Sequence, residues 1–131
     1  MRIFVDTSAF YAIWDAGDSS HDSAIKILLG LLDEDQILTS SEIISETLTL
    51  ISMRIGKASA TKFYNEILFG IETIVLDFET YNESIDLFKI IKSKNVSFVD
   101  CTSFVICKKN KIDFAFSFDV HFKKQGIKIL T

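Results

Sequence analysis

Short apolar runs alternate along this chain with longer amphipathic stretches, and the alternation strongly constrains its fold. The β-type runs are residues 3–5, 36–38, 73–76, 114–117 and 128–130. Between them, apolar residues recur at helical spacing, as over residues 24–31. Strands that alternate with helices pair in parallel and carry helices on both faces. The pattern therefore predicts a three-layer α/β/α sandwich with a mostly parallel central sheet.

Length and composition limit the classes of protein that the chain can belong to. Its 131 residues fit one domain over 1–131. No apolar run exceeds six residues, so we expect no membrane span, and Asp6 interrupts the chain before a signal-peptide core could form. Two cysteines, Cys101 and Cys107, are too few for the disulfide framework of a secreted domain and are expected to be core thiols. These features predict a cytoplasmic protein.

Polar residues mark where several helices begin. Thr39 with Glu42 fits a capping box, in which a hydroxyl and an acid three residues apart satisfy each other's free backbone N–H groups. Ser97 with Asp100 fits a second such box, with a shorter acid. Asp77 is a candidate N-cap for a helix that we expect to run to about residue 94.

Four acids are tied to apolar elements. Asp6 and Asp119 follow predicted strands, and the carboxyl ends of parallel strands meet at one edge of a sheet, where sites form. Glu46 lies within an apolar helix face, and Asp100 opens a strongly apolar helix. Each also has a structural explanation, as an N-cap, a turn residue or a partner of the helix dipole. Glu42, four residues before Glu46, is expected on a solvated face.

Convergence of these four carboxylates would require a cation. Two such charges about 4 Å apart repel by roughly 4 kcal/mol at an effective dielectric constant of 20. Either their pKa values rise or a cation neutralises them. Carboxylate oxygens suit a hard ion, Mg²⁺ or Mn²⁺, which can polarise a phosphoryl group and lower the pKa of a bound water.

Four short motifs, in order, resemble those of the PIN-domain family, and within it the small VapC-type toxin ribonucleases. The motifs are Phe4-Val5-Asp6-Thr7-Ser8, Ser45-Glu46-Thr47-Leu48, Phe98-Val99-Asp100 and Ser117-Phe118-Asp119-Val120-His121-Phe122. The resemblance spans essentially the whole chain. It implies a Mg²⁺- or Mn²⁺-dependent endoribonuclease that serves as the toxin of a toxin–antitoxin pair. Two alternatives stay open: a PIN nuclease of RNA processing without an antitoxin, and a non-catalytic binding module.

The resemblance also implies roles for individual residues and partners. The catalytic and metal-binding acids would be Asp6, Glu46, Asp100 and Asp119. Ser8 and Ser117 would orient a carboxylate or a metal-bound water. The implied partners are an RNA substrate, a cognate antitoxin protein and a second copy of the chain in a homodimer.

Charge is segregated along the sequence. Residues 1–88 hold five Lys and Arg against fifteen Asp and Glu, a net charge of −10, whereas residues 89–131 hold nine Lys against three Asp, a net charge of +6. Lysines near helix ends also arise simply as solvated partners of the helix dipole. The functional interpretation is a cationic rim that follows a phosphate backbone, with Lys123 and Lys124 as possible RNA-binding residues.

Overall fold

Four short strands form a fully parallel sheet in the order β3-β2-β1-β4 in this computed structural model, which describes residues 1–130. The strands are β1 (Arg2–Val5), β2 (Gln36–Ser40), β3 (Glu72–Ile74) and β4 (Phe114–Phe116). Registry along the sheet places Phe4 of β1 opposite Leu38 of β2 and Ala115 of β4. β1 is thus one of the two central strands, and all three of these side chains are fully buried.

Seven α-helices flank the sheet within residues 1–130, which confirms the predicted three-layer α/β/α architecture. They are α1 (Thr7–Trp14), α2 (His21–Leu29), α3 (Ser41–Arg54), α4 (Lys57–Phe63), α5 (Phe78–Ile90), α6 (Phe98–Lys109) and α7 (His121–Lys124). One π-helical turn, Tyr64–Leu68, continues α4. None of the helices over residues 1–130 has the length and apolar character needed to cross a bilayer.

Aromatic rings fill much of the core. Phe10 meets Phe63 edge-on at 5.7 Å between ring centroids, and Phe104 meets Phe122 at 5.0 Å. Edge-to-face pairs of this kind add to the stabilisation that comes from burying the rings. Cys101 and Cys107 are buried free thiols, as predicted.

Some predicted boundaries are confirmed and others are wrong. The Ser97–Asp100 capping box and the Asp77 N-cap are present. The N-cap of α3 is Ser40 and not Thr39, because β2 continues through Thr39, whose hydroxyl donates to the Val5 carbonyl at 3.0 Å.

Two other elements are shorter than predicted. Helix α5 ends at Ile90, four residues before the predicted end. The predicted strand over 128–130 is reduced to one parallel bridge between Ala115 and Ile129.

Candidate active site

One open cavity of about 880 Å³ lies at the carboxyl ends of the strands and is lined by all four predicted acids. Asp6 follows β1 directly, and Asp119 lies three residues beyond β4. Glu46 comes from α3, which begins where β2 ends, and Asp100 comes from the first turn of α6. Four separate segments of the chain therefore bring carboxylates to one cavity.

Asp6 is the most deeply buried of the four acids, with 4% of its surface exposed. Ser8 Oγ and Ser117 Oγ each donate to Asp6 Oδ2 at 2.9 Å, and the two hydroxyl oxygens are 3.2 Å apart. Burial raises the pKa of Asp6 to about 6, although the two serine hydroxyls oppose the shift. The charges of Asp100 and Glu46 raise it further. Ser8 and Ser117 therefore fix the orientation of a carboxylate that is costly to ionise.

Ser117 also connects Asp6 to Asp119. Its Oγ accepts the Asp119 backbone N–H at 3.0 Å, while Ser8 Oγ accepts the Phe118 N–H at the same distance. Asp119 Oδ1 accepts from the His121 backbone N–H at 2.9 Å and from the ring Nδ1 at 2.6 Å. His121 thus acts as a hydrogen-bonding partner of Asp119, and this side of the cavity is one continuous hydrogen-bonded network.

Asp100 combines a structural and an electrostatic role. Its Oδ2 accepts the Ser97 backbone N–H at 2.9 Å, and Ser97 Oγ accepts the Asp100 N–H at 3.0 Å, which closes the capping box. Burial raises the pKa of Asp100, the Ser97 N–H lowers it, and the nearby Asp119 charge raises it again. The shared electrostatics indicate that Asp100 and Asp119 face the same space.

Glu46 is half-buried on α3. Burial raises the pKa of its carboxyl group, the Thr7 hydroxyl opposes that rise, and the charge of Asp100 adds to it. Glu46 therefore belongs electrostatically to the same group, although its partners are fewer than those of Asp6.

The chemistry of these donors fits a hard divalent cation. In each of the three aspartates the hydrogen bonds within residues 1–130 go to one carboxylate oxygen, Oδ2 of Asp6 and Asp100 and Oδ1 of Asp119. The other oxygen of each is left without a protein donor and can serve as a ligand. The pKa values of Asp6, Glu46 and Asp100 are raised. A bound cation would favour the ionised carboxylates and so lower these pKa values.

As they are placed, the four carboxylates do not form the ligand set of one ion. Over residues 1–130, no three acidic, His or Cys side chains form a group that would hold a metal ion as they stand. Metal binding would therefore require these side chains to move closer together.

The two predicted RNA-binding lysines lie elsewhere. Lys123 and Lys124 are exposed on α7, and neither lines the cavity of the acids. Lys123 borders a separate cavity of about 320 Å³ beside Phe118 and Val120.

Among the other residues that line the acidic cavity are Tyr11, Glu42 and Arg54, which the sequence did not single out for this place. Glu42, which was expected on a solvated face, is partly exposed and lines this open cavity. The available signal was spacing. Residues 42, 46, 50 and 54 recur every four positions and therefore share one face of α3.

Comparison with known proteins agrees with the fold. The family described as PIN domain matches residues 3–128. The 23S rRNA-specific endonuclease VapC20 of Mycobacterium tuberculosis is 30% identical over 127 residues, which are 95% of this chain and 94% of that protein. The crystal structure of M. tuberculosis VapC20, described as a sarcin-ricin loop cleaving toxin, superposes with a TM-score of 0.87 at 28% identity, covering 95% of both chains.

More distant structures share the fold alone. VapBC2 from Rickettsia felis, bound to a DNA fragment from its promoter, gives a TM-score of 0.72 at 13% identity over 99% of this chain and 98% of that one. FitAcB from Neisseria gonorrhoeae gives 0.73 at 12% identity over 98% of this chain and 96% of that one.

Proposed function

The chain belongs to the PIN-domain family, and we propose that it is a metal-dependent endoribonuclease, the toxin of a VapBC-type toxin–antitoxin pair. The observation that carries the proposal is the cavity itself. Asp6, Glu46, Asp100 and Asp119 arrive there from four segments and are coupled electrostatically. Structural acids at helix starts and turns would have no reason to converge in this way. The likeness to a 23S rRNA endonuclease over nearly the whole chain supports RNA as the substrate.

The proposed ion is Mg²⁺ or Mn²⁺, held chiefly by Asp6 and Asp100, with Asp119 completing the site or holding a second ion. When bound, the ion would neutralise negative charge on the phosphodiester and lower the pKa of a water bound to it. Glu46 would assist metal binding or would orient the attacking water by accepting a hydrogen bond from it. Ser8 and Ser117 hold Asp6 in one orientation through their bonds to Oδ2.

The proposed partners follow from the relatives. Structures with this fold include VapBC and FitAB assemblies, which supports an antitoxin as a partner of this chain. We propose in addition that the chain forms a homodimer and acts in the cytoplasm.

Two alternatives make different predictions. A PIN nuclease of RNA processing would cleave RNA without arresting growth, and it would have no protein inhibitor encoded beside it. A non-catalytic module would bind partners without cleaving RNA. Expression of the chain in a bacterial host, with and without the product of a small neighbouring gene, separates the toxin from both. Growth arrest that this product relieves is the result expected of a toxin.

Cleavage of total cellular RNA by the purified chain is the direct test. The wild-type protein is expected to cleave with Mg²⁺ or Mn²⁺ and not with a chelator. Asp100→Asn should abolish cleavage while retaining the fold, because an asparagine oxygen can still accept the Ser97 N–H. Asp86→Asn is the matched control, since Asp86 is an exposed aspartate on α5 that does not line the cavity. Equal cleavage by wild-type and Asp100→Asn would reject the assignment.

A further inference from the structure

The acidic cavity contains a single cationic side chain among the described residues that line it. Six carboxylates line the cavity, and Arg54 is the one residue of opposite charge. RNA is a chain of phosphate anions, and affinity for its backbone comes from Lys and Arg contacts. A cavity of this composition needs a positive group near the place where the substrate backbone passes, in addition to any metal ion.

Arg54 is held at the cavity by an aromatic platform. Its guanidinium carbon lies 5.0 Å from the centre of the Tyr11 ring. The ring is itself fixed, because Tyr11 is buried and its hydroxyl donates to Asp15 Oδ2 at 2.7 Å. The Gly17 backbone N–H donates to Asp15 Oδ1 at 2.9 Å and so fixes that carboxylate in turn. Stacking on a fixed ring restrains the plane of the guanidinium and thereby orients its donors.

Arg54 forms no salt bridge within the part of the chain that the structure describes. Within residues 1–130, no carboxylate lies within 4.0 Å of the Arg54 guanidinium, and the side chain is exposed. Arg54 lies in the last turn of α3, where a cation also complements the helix dipole. That role needs only a charge near the helix end and does not account for a platform that turns the side chain toward the cavity.

We propose that Arg54 binds a backbone phosphate of the RNA that flanks the scissile bond. The inference rests on the proposed function, since it assigns a substrate contact to the same cavity. Glu46 and Arg54 are eight residues apart on one face of α3, which is about 12 Å along the helix axis. Arg54 therefore contacts a neighbouring phosphate and positions the strand, while the scissile phosphate lies among the carboxylates.

The planar fork of Arg54 makes it better suited to this contact than the exposed lysines of α7. A guanidinium donates two parallel N–H bonds to one phosphate, whereas a lysine ammonium acts as a point charge. Lys123 and Lys124 lie outside the acidic cavity and can contact only more distant parts of a bound RNA.

Steady-state cleavage kinetics test this assignment. The substrate is a labelled RNA containing a site that the wild-type chain cleaves in total RNA, and kcat and KM are measured with Mn²⁺ at several KCl concentrations. We expect Arg54→Ala to raise KM about tenfold with little change in kcat, because a contact away from the scissile bond serves binding. The slope of log(kcat/KM) against log[KCl] should become shallower by about 0.7, the loss of one phosphate contact on a single strand.

Two further variants separate this role from a structural one. Arg54→Lys should restore the salt slope and only part of the lost affinity, since it keeps the charge without the fork. Lys62→Ala is the matched control, because Lys62 is also an exposed cation in the last turn of a helix and does not line the cavity. Its kinetics should equal those of the wild type.

Failure of this inference and failure of the proposed function give different results. If wild-type cleavage depends on metal and on Asp100 but Arg54→Ala leaves KM and the salt slope unchanged, the Arg54 assignment is rejected and the nuclease stands. A lower kcat with unchanged KM in Arg54→Ala would also reject it. If the wild-type chain cleaves no RNA with either metal, the proposed function and the Arg54 contact are both rejected.

Discussion

The two sides of the acidic cavity are built differently. The strand side follows β1 and β4, where Asp6, Ser8, Phe118 and Asp119 line the cavity and the buried Ser117 bonds to Asp6. Its carboxylates and hydroxyls are joined by hydrogen bonds of 2.9–3.2 Å that cross between the two strand ends. The helix side is the face of α3 that carries Glu42, Glu46, Leu50 and Arg54. Over residues 1–130, none of its charged groups forms a salt bridge, and the Arg54 guanidinium lies over the Tyr11 ring.

This difference assigns separate tasks to the two sides. Groups fixed by hydrogen bonds before the substrate arrives lose little freedom on binding, which is the basis of preorganisation. We therefore expect the strand side, together with Asp100 of α6, to determine ion binding and chemistry. On the helix side, Glu46 is proposed to serve the ion or the attacking water, and we expect Arg54 to determine how RNA is held.

The largest effect on stability is expected from Asp6→Asn on the strand side. The pKa of Asp6 is about 6 in the folded chain against 3.8 for an unperturbed aspartate, so ionisation opposes folding. The penalty is absent below pH 3.8, grows as pH rises toward 6 and is complete above it. Asp6→Asn should therefore raise the free energy of unfolding by up to about 3 kcal/mol at pH 8 in chelator. Near pH 4 it should change stability little.

Urea unfolding at the two pH values in chelator measures this effect. Added Mg²⁺ should stabilise the wild type at pH 8 but not Asp6→Asn, and the variant should lose RNA cleavage by about 100-fold or more. If Asp6→Asn were less stable than the wild type at pH 8, ionisation of Asp6 would not oppose folding. The proposed contrast between the two sides of the cavity would then be rejected.

Ser117→Ala should have the next largest effect. The change removes the hydroxyl that donates to Asp6 Oδ2 and accepts the Asp119 N–H. Groups that orient metal ligands typically contribute 10- to 100-fold in metal affinity or activity. We expect Ser117→Ala to bind Mn²⁺ about 10- to 100-fold more weakly than the wild type does. Calorimetry measures this affinity, with Asp100 left unsubstituted in both proteins.

Ser103→Ala is the matched control for Ser117→Ala. Ser103 is a fully buried serine of α6 whose Oγ has no hydrogen-bond partner in the described part of the chain. Its replacement removes the same atom without breaking a bond, so Mn²⁺ affinity should be unchanged. If Ser117→Ala and Ser103→Ala lost Mn²⁺ affinity equally, the loss would be a general packing effect. The hydrogen bonds of the strand side would then have no particular role in ion binding.

Much of the strand side could be predicted from sequence, because local patterns determine it. An apolar run that ends in Asp6 predicts both a buried strand and the place of the acid, and parallel pairing brings that end to the carboxyl end of β4. The family resemblance predicts that Ser8 and Ser117 orient a carboxylate, and both hydroxyls donate hydrogen bonds to Asp6. Whether these residues act in catalysis stays a prediction.

The helix side was less predictable because its function depends on which face of α3 meets the cavity. Three hydroxyl residues in a row, 39–41, are all suitable N-caps, and the predicted cap, Thr39, lies one residue before the observed cap, Ser40. Sequence also contains no local sign that Arg54 stacks on Tyr11, which lies 43 residues earlier in the chain. Such contacts depend on tertiary packing.

The smallest effect is expected from the lysines of α7. Lys123 and Lys124 follow the strand side but lie outside the cavity, so they can add only distant electrostatic attraction to RNA. The double variant Lys123→Glu/Lys124→Glu should weaken RNA binding about threefold at low salt, with the difference vanishing as salt screens it. Lys92→Glu/Lys94→Glu, on the exposed segment after α5, changes the net charge equally and should have less effect. If the α7 variant weakened binding more than Arg54→Ala, RNA would be held from the strand side, and the division of tasks between the two sides would be reversed.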